Sequence, residues 1–167
     1  MTVYTAIPSP VGELLLVGER SPGGVALASV STPNAKNAPT PQPNWQHDPA
    51  AFTAAAAQFE SYFAGEPMVF NLAFAPHGTD FQHRVWRQLD TIPYGTTTTY
   101  GALAAELGLP RERIQALGTA IGANPLLIVR PCHRVIGADG SMRGYAGGVE
   151  RKHQLLVHEG ALQPTLL

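Results

Sequence analysis

Short aliphatic and β-branched runs open the chain. Val3–Ile7, Glu13–Gly18 and Val25–Val30 are separated by the turn-forming stretches Pro8–Gly12 and Ser21–Gly24, which predicts three strands joined by tight turns. Ser31–Trp45 carries Pro33, Pro39, Pro41 and Pro43 among several Asn residues and predicts a loop. Asp48 followed by Pro49 predicts a capped helix start. Phe52, Ala55, Ala56, Phe59 and Phe63 then form a stripe at helical spacing, ended by Gly65 and Pro67. Val69–Phe74 predicts one more strand.

From residue 79 the period changes. Thr79 and Gln82 have the spacing of a capping box, and Phe81, Val85 and Leu89 follow on one helical face. Thr98 or Thr99 caps a short helix with Leu103, Ala104 and Leu107; Gly108 stops it and Pro110 opens a second helix over about 112–122. Two short helices around a Gly-containing turn are a helix-turn-helix candidate. On the second, Ile114, Leu117 and Ile121 form the inner stripe, while Glu112, Gln115, Ala116 and Thr119 face outward. Gly118 and Gly122 make this helix slim, fit either for close approach to a nucleic-acid groove or for packing against another helix. After Leu126–Val129 comes a Gly-rich loop with Gly137, Gly140, Gly144, Gly147 and Gly148, and a last helix from about Val149 to His158 stopped by Gly160. The pattern predicts an α+β chain: a small strand-rich domain over 1–75 and a mostly helical domain over 76–167.

Composition narrows the classes. Of the 167 residues, 44% are apolar and 14% charged, which excludes a solvated disordered chain. The longest apolar runs fall far below the ~18 residues of a membrane span, so no membrane partner is expected. A secretory leader pattern is absent at the N-terminus, and the single Cys132 excludes an intrachain disulfide and multi-cysteine metal sites. A lone thiol fits a reducing interior, so a cytoplasmic location is expected. Residues 1–79 carry two basic and five acidic groups, net −3, whereas 111–152 carry seven basic and three acidic, net +4. That local excess suits a small anionic ligand or a limited nucleic-acid contact, or is ordinary surface charge.

Cys132 is the candidate nucleophile. Pro131 fixes the backbone before it, His133 follows, and Arg130 and Arg134 flank it; cations near a thiol favour the thiolate. The alternative is a small buried hydrophobe. Glu159 ends the last helix, where the helix dipole disfavours a carboxylate, so it is either a solvated end or a functional group. His153 and His158 do not share a helix face, and no metal-ligand spacing is found.

Phe81-Gln82…Val85-Trp86…Ile92-Pro93-Tyr94-Gly95-Thr96…Tyr100, Gly122-Ala123-Asn124-Pro125, Pro131-Cys132-His133-Arg134-Val135, Gly144-Tyr145-Ala146-Gly147-Gly148 and Lys152…Leu155-Leu156…His158-Glu159-Gly160 occur in this order. Over residues 80–161 the chain closely resembles the O6-alkylguanine-DNA alkyltransferase family. The resemblance implies a ribonuclease-H-like N-terminal domain, a winged helix-turn-helix in the C-terminal one, and a single-turnover methylated-DNA–protein-cysteine methyltransferase. Such a protein binds duplex DNA in the minor groove and flips out the O6-alkylguanine, with O4-alkylthymine as a further substrate. It moves the alkyl group onto its own cysteine. No cofactor is needed, and a monomer is expected.

Carried over by position, Cys132 is the acceptor, His133 relays its proton through water, Glu159 holds that histidine in its protonated form, and Asn124 braces the cysteine turn. Tyr100 donates to the base and turns the 3′ phosphate, and Lys152 supports the site. The carbonyls of Cys132 and Val135, with Tyr145 and the backbone of Ala146, read the guanine edge. Ala146 stands where some members use a Ser. Arg113, Gln115, Ala116, Gly118, Gly122 and Arg134 are the expected DNA contacts. The family's wedge arginine falls on Gln115 when Ala116-Leu117-Gly118 is aligned and on Ile114 when Pro110 is aligned, with Arg113 as the nearby alternative. The cysteines of the zinc site found in some N-terminal domains are absent.

Overall fold

The structure, a computed structural model, describes residues 1–142 and 144–164. Residues 143 and 165–167, counted above within the second domain, lie outside the described residues. The chain clusters into two units. One comprises Met1–His77 together with Pro125–Val129; the other comprises Gly78–Asn124 and the chain from Arg130 onward.

In the first unit, β1 (Thr2–Ile7), β2 (Leu14–Ser21) and β3 (Gly24–Ser31) form an antiparallel meander, and the short β4 (Gln46–His47) adds parallel to β1, giving the order β3-β2-β1-β4. Val3, Leu14, Leu16 and Val30 are fully buried. A bulge on β3, where Ala28 is the extra residue, lies opposite Val17 and Gly18 of β2. Only glycine fits there, since a Cβ on Gly18 would come 2.7 Å from Val25 Cγ1 and 3.0 Å from the Ala26 carbonyl. Helix α1 (Thr53–Phe63) buries Ala55, Phe59 and Tyr62.

Two expectations are corrected in this unit. Asp48 does not cap α1: a 3-10 turn over Pro49–Phe52 intervenes, and the Asp48 carboxylate pairs with Arg20 instead. Val69–Phe74 is not a strand. Val69 is 87% exposed, Phe70 packs against the Phe59 and Tyr62 rings of α1, and the Gln58 side chain takes the groups a ladder would have used. It accepts from the Asn71 N–H at 2.8 Å and donates to the Asn71 carbonyl at 2.9 Å. Only the 73–75 end touches the sheet, through the Leu27 N–H on the Ala73 carbonyl and the Ala75 N–H on the Leu27 carbonyl. On β3, Leu126 forms a parallel bridge with Val30. Within that stretch Ile128 is buried with φ 72°, a left-handed conformation that costs a β-branched residue about 1–3 kcal/mol.

The second unit contains α2 (Asp80–Leu89), β5 (Thr98–Thr99), α3 (Tyr100–Glu106), α4 (Ile114–Gly122), β6 (Val135–Ile136) and α5 (Val149–His158). The capping box at Thr79 and Gln82 forms in both directions. Val85, Trp86 and Leu89 are buried, and the Trp86 indole donates to the Ala120 carbonyl at 2.9 Å, which ties α2 to α4. Thr99 caps α3 by accepting from the Ala102 N–H at 3.1 Å. Gly108, at φ 68°, turns the chain toward a 3-10 turn over Arg111–Arg113, after which α4 begins. Its inner face is Leu117, Ala120 and Ile121; Ile114, expected in that stripe, is only half-buried at the helix's first residue. β5 and β6 pair in parallel, two residues each. No helix among the described residues is long and apolar enough to cross a membrane.

Candidate active site

Cys132 is presented by two consecutive turns. Pro131 has φ −81° and ψ 57°, and the Cys132 N–H reaches the Arg130 carbonyl at 2.8 Å, an inverse γ-turn. A 3-10 turn over Cys132–Arg134 follows and feeds β6. Because β6 pairs with β5, and β5 leads into α3, the cysteine turn is registered against the helix that begins with Tyr100. A Cβ on Gly144, whose φ is 60°, would lie 3.4 Å from the Tyr100 hydroxyl, so the Gly-rich loop passes close to that phenol.

Behind the cysteine lies a charged cluster with almost no solvent contact. The side chains of His133 and Glu159 have zero exposure. Glu159 caps α5 at its C-terminus, and His133 Nε2 lies 2.7 Å from its Oε2. Arg134 donates through Nε to Oε1 at 2.7 Å and through Nη2 to Oε2 at 3.1 Å. Its remaining arm donates to the Ile92 carbonyl at 2.7 Å, and Tyr94 stacks 5.6 Å from the guanidinium. Gly95 completes that turn at φ 78°, where a Cβ would come 3.2 Å from the Glu159 carbonyl.

Burial raises the Glu159 carboxyl, but the hydrogen bonds from His133 and Arg134 outweigh it and hold the group at about 2. Burial, joined by the Arg134 and Lys152 charges, holds His133 below its ordinary 6.5 against the Glu159 hydrogen bond and charge that would raise it. The imidazole is therefore neutral at pH 7. An ionised Glu159 can only accept, so Nε2 carries the proton and Nδ1 presents a lone pair. Nδ1 is buried and has no hydrogen-bond partner among the described residues.

Burial pushes the Cys132 thiol up to about 11, against the lowering by an Asn124 side-chain hydrogen bond and by the Lys152 and Arg130 charges. This corrects the expectation of a thiolate favoured by flanking cations. Burial outweighs these charges, and Arg134 and Arg130 are themselves paired with Glu159 and Asp90, so at rest the pair is a neutral thiol beside a neutral imidazole. Lys152 is 1% exposed, and burial lowers its amine to about 8, with Cys132 pulling the other way. Tyr145 is buried, and burial followed by the Cys132 and Glu159 charges keeps its phenol well above the usual range.

The sequence carries family signatures over both parts. It matches 6-O-methylguanine DNA methyltransferase, DNA binding domain, over residues 80–161, and 6-O-methylguanine DNA methyltransferase, ribonuclease-like domain, over residues 2–76. The chain belongs to the 6-O-methylguanine DNA methyltransferase family. The methylated-DNA–protein-cysteine methyltransferase of Mycobacterium tuberculosis is 43% identical, over 99% of this chain and 96% of that one. The Methanosarcina acetivorans protein of the same name is 41% identical, over 95% and 98%. The crystal structure of Mycobacterium tuberculosis OGT in complex with DNA superposes with a TM-score of 0.84, covering 95% of this chain and 93% of that one.

Among the methyltransferase residues expected from sequence, the second unit gathers Cys132, His133, Glu159, Asn124, Lys152 and Tyr145, with Val135 fully buried at the end of the cysteine turn and Ala146 half-buried beside Tyr145. Arg134 is corrected: it is 7% exposed with its donors committed to Glu159 and Ile92, an internal clamp rather than a DNA contact. Gln115 is exposed on α4. Arg113 precedes α4, and its guanidinium stacks 4.6 Å over Phe81. Cβ atoms on Gly118 and Gly122 would meet nothing among the described residues, so the slimness of α4 is not used to pack against another helix of this unit. The sequence reading missed Asp90, which caps α2 and grips Arg130. The signal that singled out Glu159, an acid where the helix dipole disfavours it, also marks Asp90, and both acids hold arginines.

Proposed function

We propose that the protein repairs duplex DNA by moving the alkyl group of O6-alkylguanine, irreversibly, onto Cys132, in the reducing cytoplasm where a lone thiol persists. The observation that carries this reading is the single cysteine on a double turn, backed by a buried histidine whose Nδ1 lone pair has no partner among the described residues. α4 would enter the minor groove with Gln115 as a neutral wedge; Gly118 and Gly122 let its backbone approach. The target base leaves the stack because its O6-alkyl carbon is shielded there, at a cost of a few kcal/mol.

The thiol proton passes through water to His133 Nδ1, and Glu159 stabilises the imidazolium only while it exists. The sulfur then attacks the alkyl carbon, an S–C bond forms and the C–O6 bond breaks. Tyr100 donates to the departing guanine and is reprotonated from solvent, while the His133 imidazolium returns the thiol's proton to solvent, so no net proton is taken up. Asn124 and Lys152 stabilise the developing thiolate, and Tyr145, Val135 and Ala146 hold the base edge. The thioether has no route back, so each chain acts once. A lesion-sensing protein of the same fold needs no acceptor, and no observation here favours that reading.

The test is duplex DNA carrying a labelled O6-methyl group, followed by digestion of the protein. At most one label per chain, on the Cys132 peptide and abolished by Cys132→Ala with DNA binding retained, is expected. Several turnovers per chain, or label elsewhere, overturns the assignment.

A further inference from the structure

Arg130 is a buried charge that the mechanism above leaves unused. It is 7% exposed, and its carbonyl does two things at once. It closes the γ-turn by accepting from the Cys132 N–H at 2.8 Å, and it accepts from Asn124 Nδ2 at 3.0 Å. The side chain leaves the turn in a fork: Nε donates to Asp90 Oδ1 at 3.1 Å and Nη2 to Oδ2 at 3.3 Å. The guanidinium also lies 5.6 Å from the centre of the Trp86 ring, the same indole whose N–H holds Ala120 of α4. The third arm, Nη1, is buried with no partner among the described residues. Burying a guanidinium with one arm unsatisfied costs free energy, and a bidentate fork on a half-exposed aspartate returns only part of it. An aliphatic side chain would fill this place at less cost, so packing alone does not account for the charge.

We propose that Arg130 is a positioning residue for the alkyl-acceptor cysteine: anchored on Asp90 and Trp86, it fixes the γ-turn that aims the sulfur and holds a permanent positive charge beside it. The inference rests on Cys132 being the acceptor. It assigns two separable contributions, one geometric and one electrostatic. The fork and the indole lock the side chain, and the locked side chain locks the carbonyl that sets the direction of Cys132. The charge favours the thiolate over the thiol. The other groups facing the sulfur are Lys152 from α5, Asn124 from the end of α4, the Tyr145 phenol and the His133–Glu159–Arg134 cluster. Within that cluster Glu159 balances Arg134. Asp90 binds Arg130 from its outer side, where its side chain is 45% exposed and screened by water.

The experiment is single-turnover transfer with protein in excess over duplex DNA carrying labelled O6-methylguanine, for wild type, R130M, R130K and D90N, together with the pH profile of iodoacetamide alkylation of each DNA-free protein carried up through the thiol's titration near 11. It yields a saturating rate and a half-saturating concentration. R130M should lower the saturating rate on the order of 10–100-fold, as displacement of a reacting group does, with half-saturation unchanged within about twofold. Its thiol should also alkylate with a titration at higher pH than wild type, because the charge is gone. R130K should restore the wild-type pH profile while the rate remains reduced, since an ammonium keeps the charge and loses the fork. D90N, at a half-exposed position, should lower the rate severalfold, and it decides the matter if R130M does not fold. Wild-type rates in folded R130M or in D90N overturn the proposal. So does an R130K profile no closer to wild type than that of R130M, or a loss in half-saturation as large as the loss in rate. If the wild-type label is not on Cys132, the acceptor assignment has failed instead.

Discussion

Replacing Glu159 by Gln keeps the shape of the α5 end and removes one charge from a cluster without solvent. In the native protein that charge accepts from His133 Nε2 and twice from Arg134, all within 3.1 Å. Its removal leaves the Arg134 guanidinium buried without a counter-charge, which costs about 3–5 kcal/mol. The acid side of the stability curve gives a second estimate. The folded carboxyl sits at about 2 against an ordinary 4.5, and that gap corresponds to about 3 kcal/mol. The folded value is depressed, so this contribution is present above pH 4.5 and is lost as pH falls toward 2. For a chain of this length the loss lowers the melting temperature by roughly 10 °C. Thermal unfolding at pH 7.5 and at pH 3, for wild type and E159Q, reads both quantities. The E159Q deficit should be large at pH 7.5 and fall to roughly 40% of that at pH 3. Adding Arg134→Met should recover part of it, because the orphaned charge is then gone. In the same variant the saturating transfer rate should fall, since His133 loses the group that stabilises its imidazolium. A melting shift below about 2 °C at pH 7.5, or a deficit equal at both pH values, would refute the reasoning that Glu159 carries the cluster as an anion.

The Cys132 thiol, held near 11, should react with iodoacetamide at a rate that climbs about tenfold per pH unit from 7 to 9 without a plateau; a plateau at pH 7–8 would show a resting thiolate. Its folded value lies above the ordinary 9.0, so the stability it contributes is fully present below pH 9 and declines as pH rises through 11. Gln115→Arg should steepen the salt dependence of duplex binding by about 0.9 and speed transfer from duplex, with little change for free O6-benzylguanine. An equal effect on duplex and free base, or none on either, removes Gln115 from the wedge and turns attention to Arg113→Ala.

The first three strands, the capping box and the acceptor turn were legible because each depends on neighbours in sequence, whereas the two-residue strands β4, β5 and β6 were not. Thr79 and Gln82 are three apart, and the cysteine turn is written in Arg130-Pro131-Cys132-His133. The missing strand at Val69–Phe74 was illegible because its competitor is the Gln58 side chain, thirteen residues from Asn71. The protonation state failed for the same reason. Flanking arginines suggest a thiolate, but the long-range packing that buries Cys132 outweighs their charges, and Asp90 and Glu159, distant in sequence, pair with both. Arg134 was misread as a DNA contact because a basic residue beside a nucleophile looks the same whether it faces solvent or a buried carboxylate.

Pro125–Val129 has an implication for the order in which the protein comes into being. These five residues cluster with Met1–His77, and the backbone of Val30 bonds the Pro125 carbonyl and the Leu127 N–H. A ribosome delivers the first unit's sheet early, but the stretch that borders β3 emerges only after α2, α3 and α4. At ~5–20 residues per second that delay is roughly three to ten seconds. During it the Val30 end of the β3 edge stands open, with only Leu27 covered by residues 73–75, and the turn that will carry Cys132 has not been made. The nucleophile is therefore threaded into place directly behind the segment that completes the N-terminal unit. A fragment ending before residue 125 lacks both, and one starting at residue 78 keeps the cysteine but leaves 125–129 without the strand it borders.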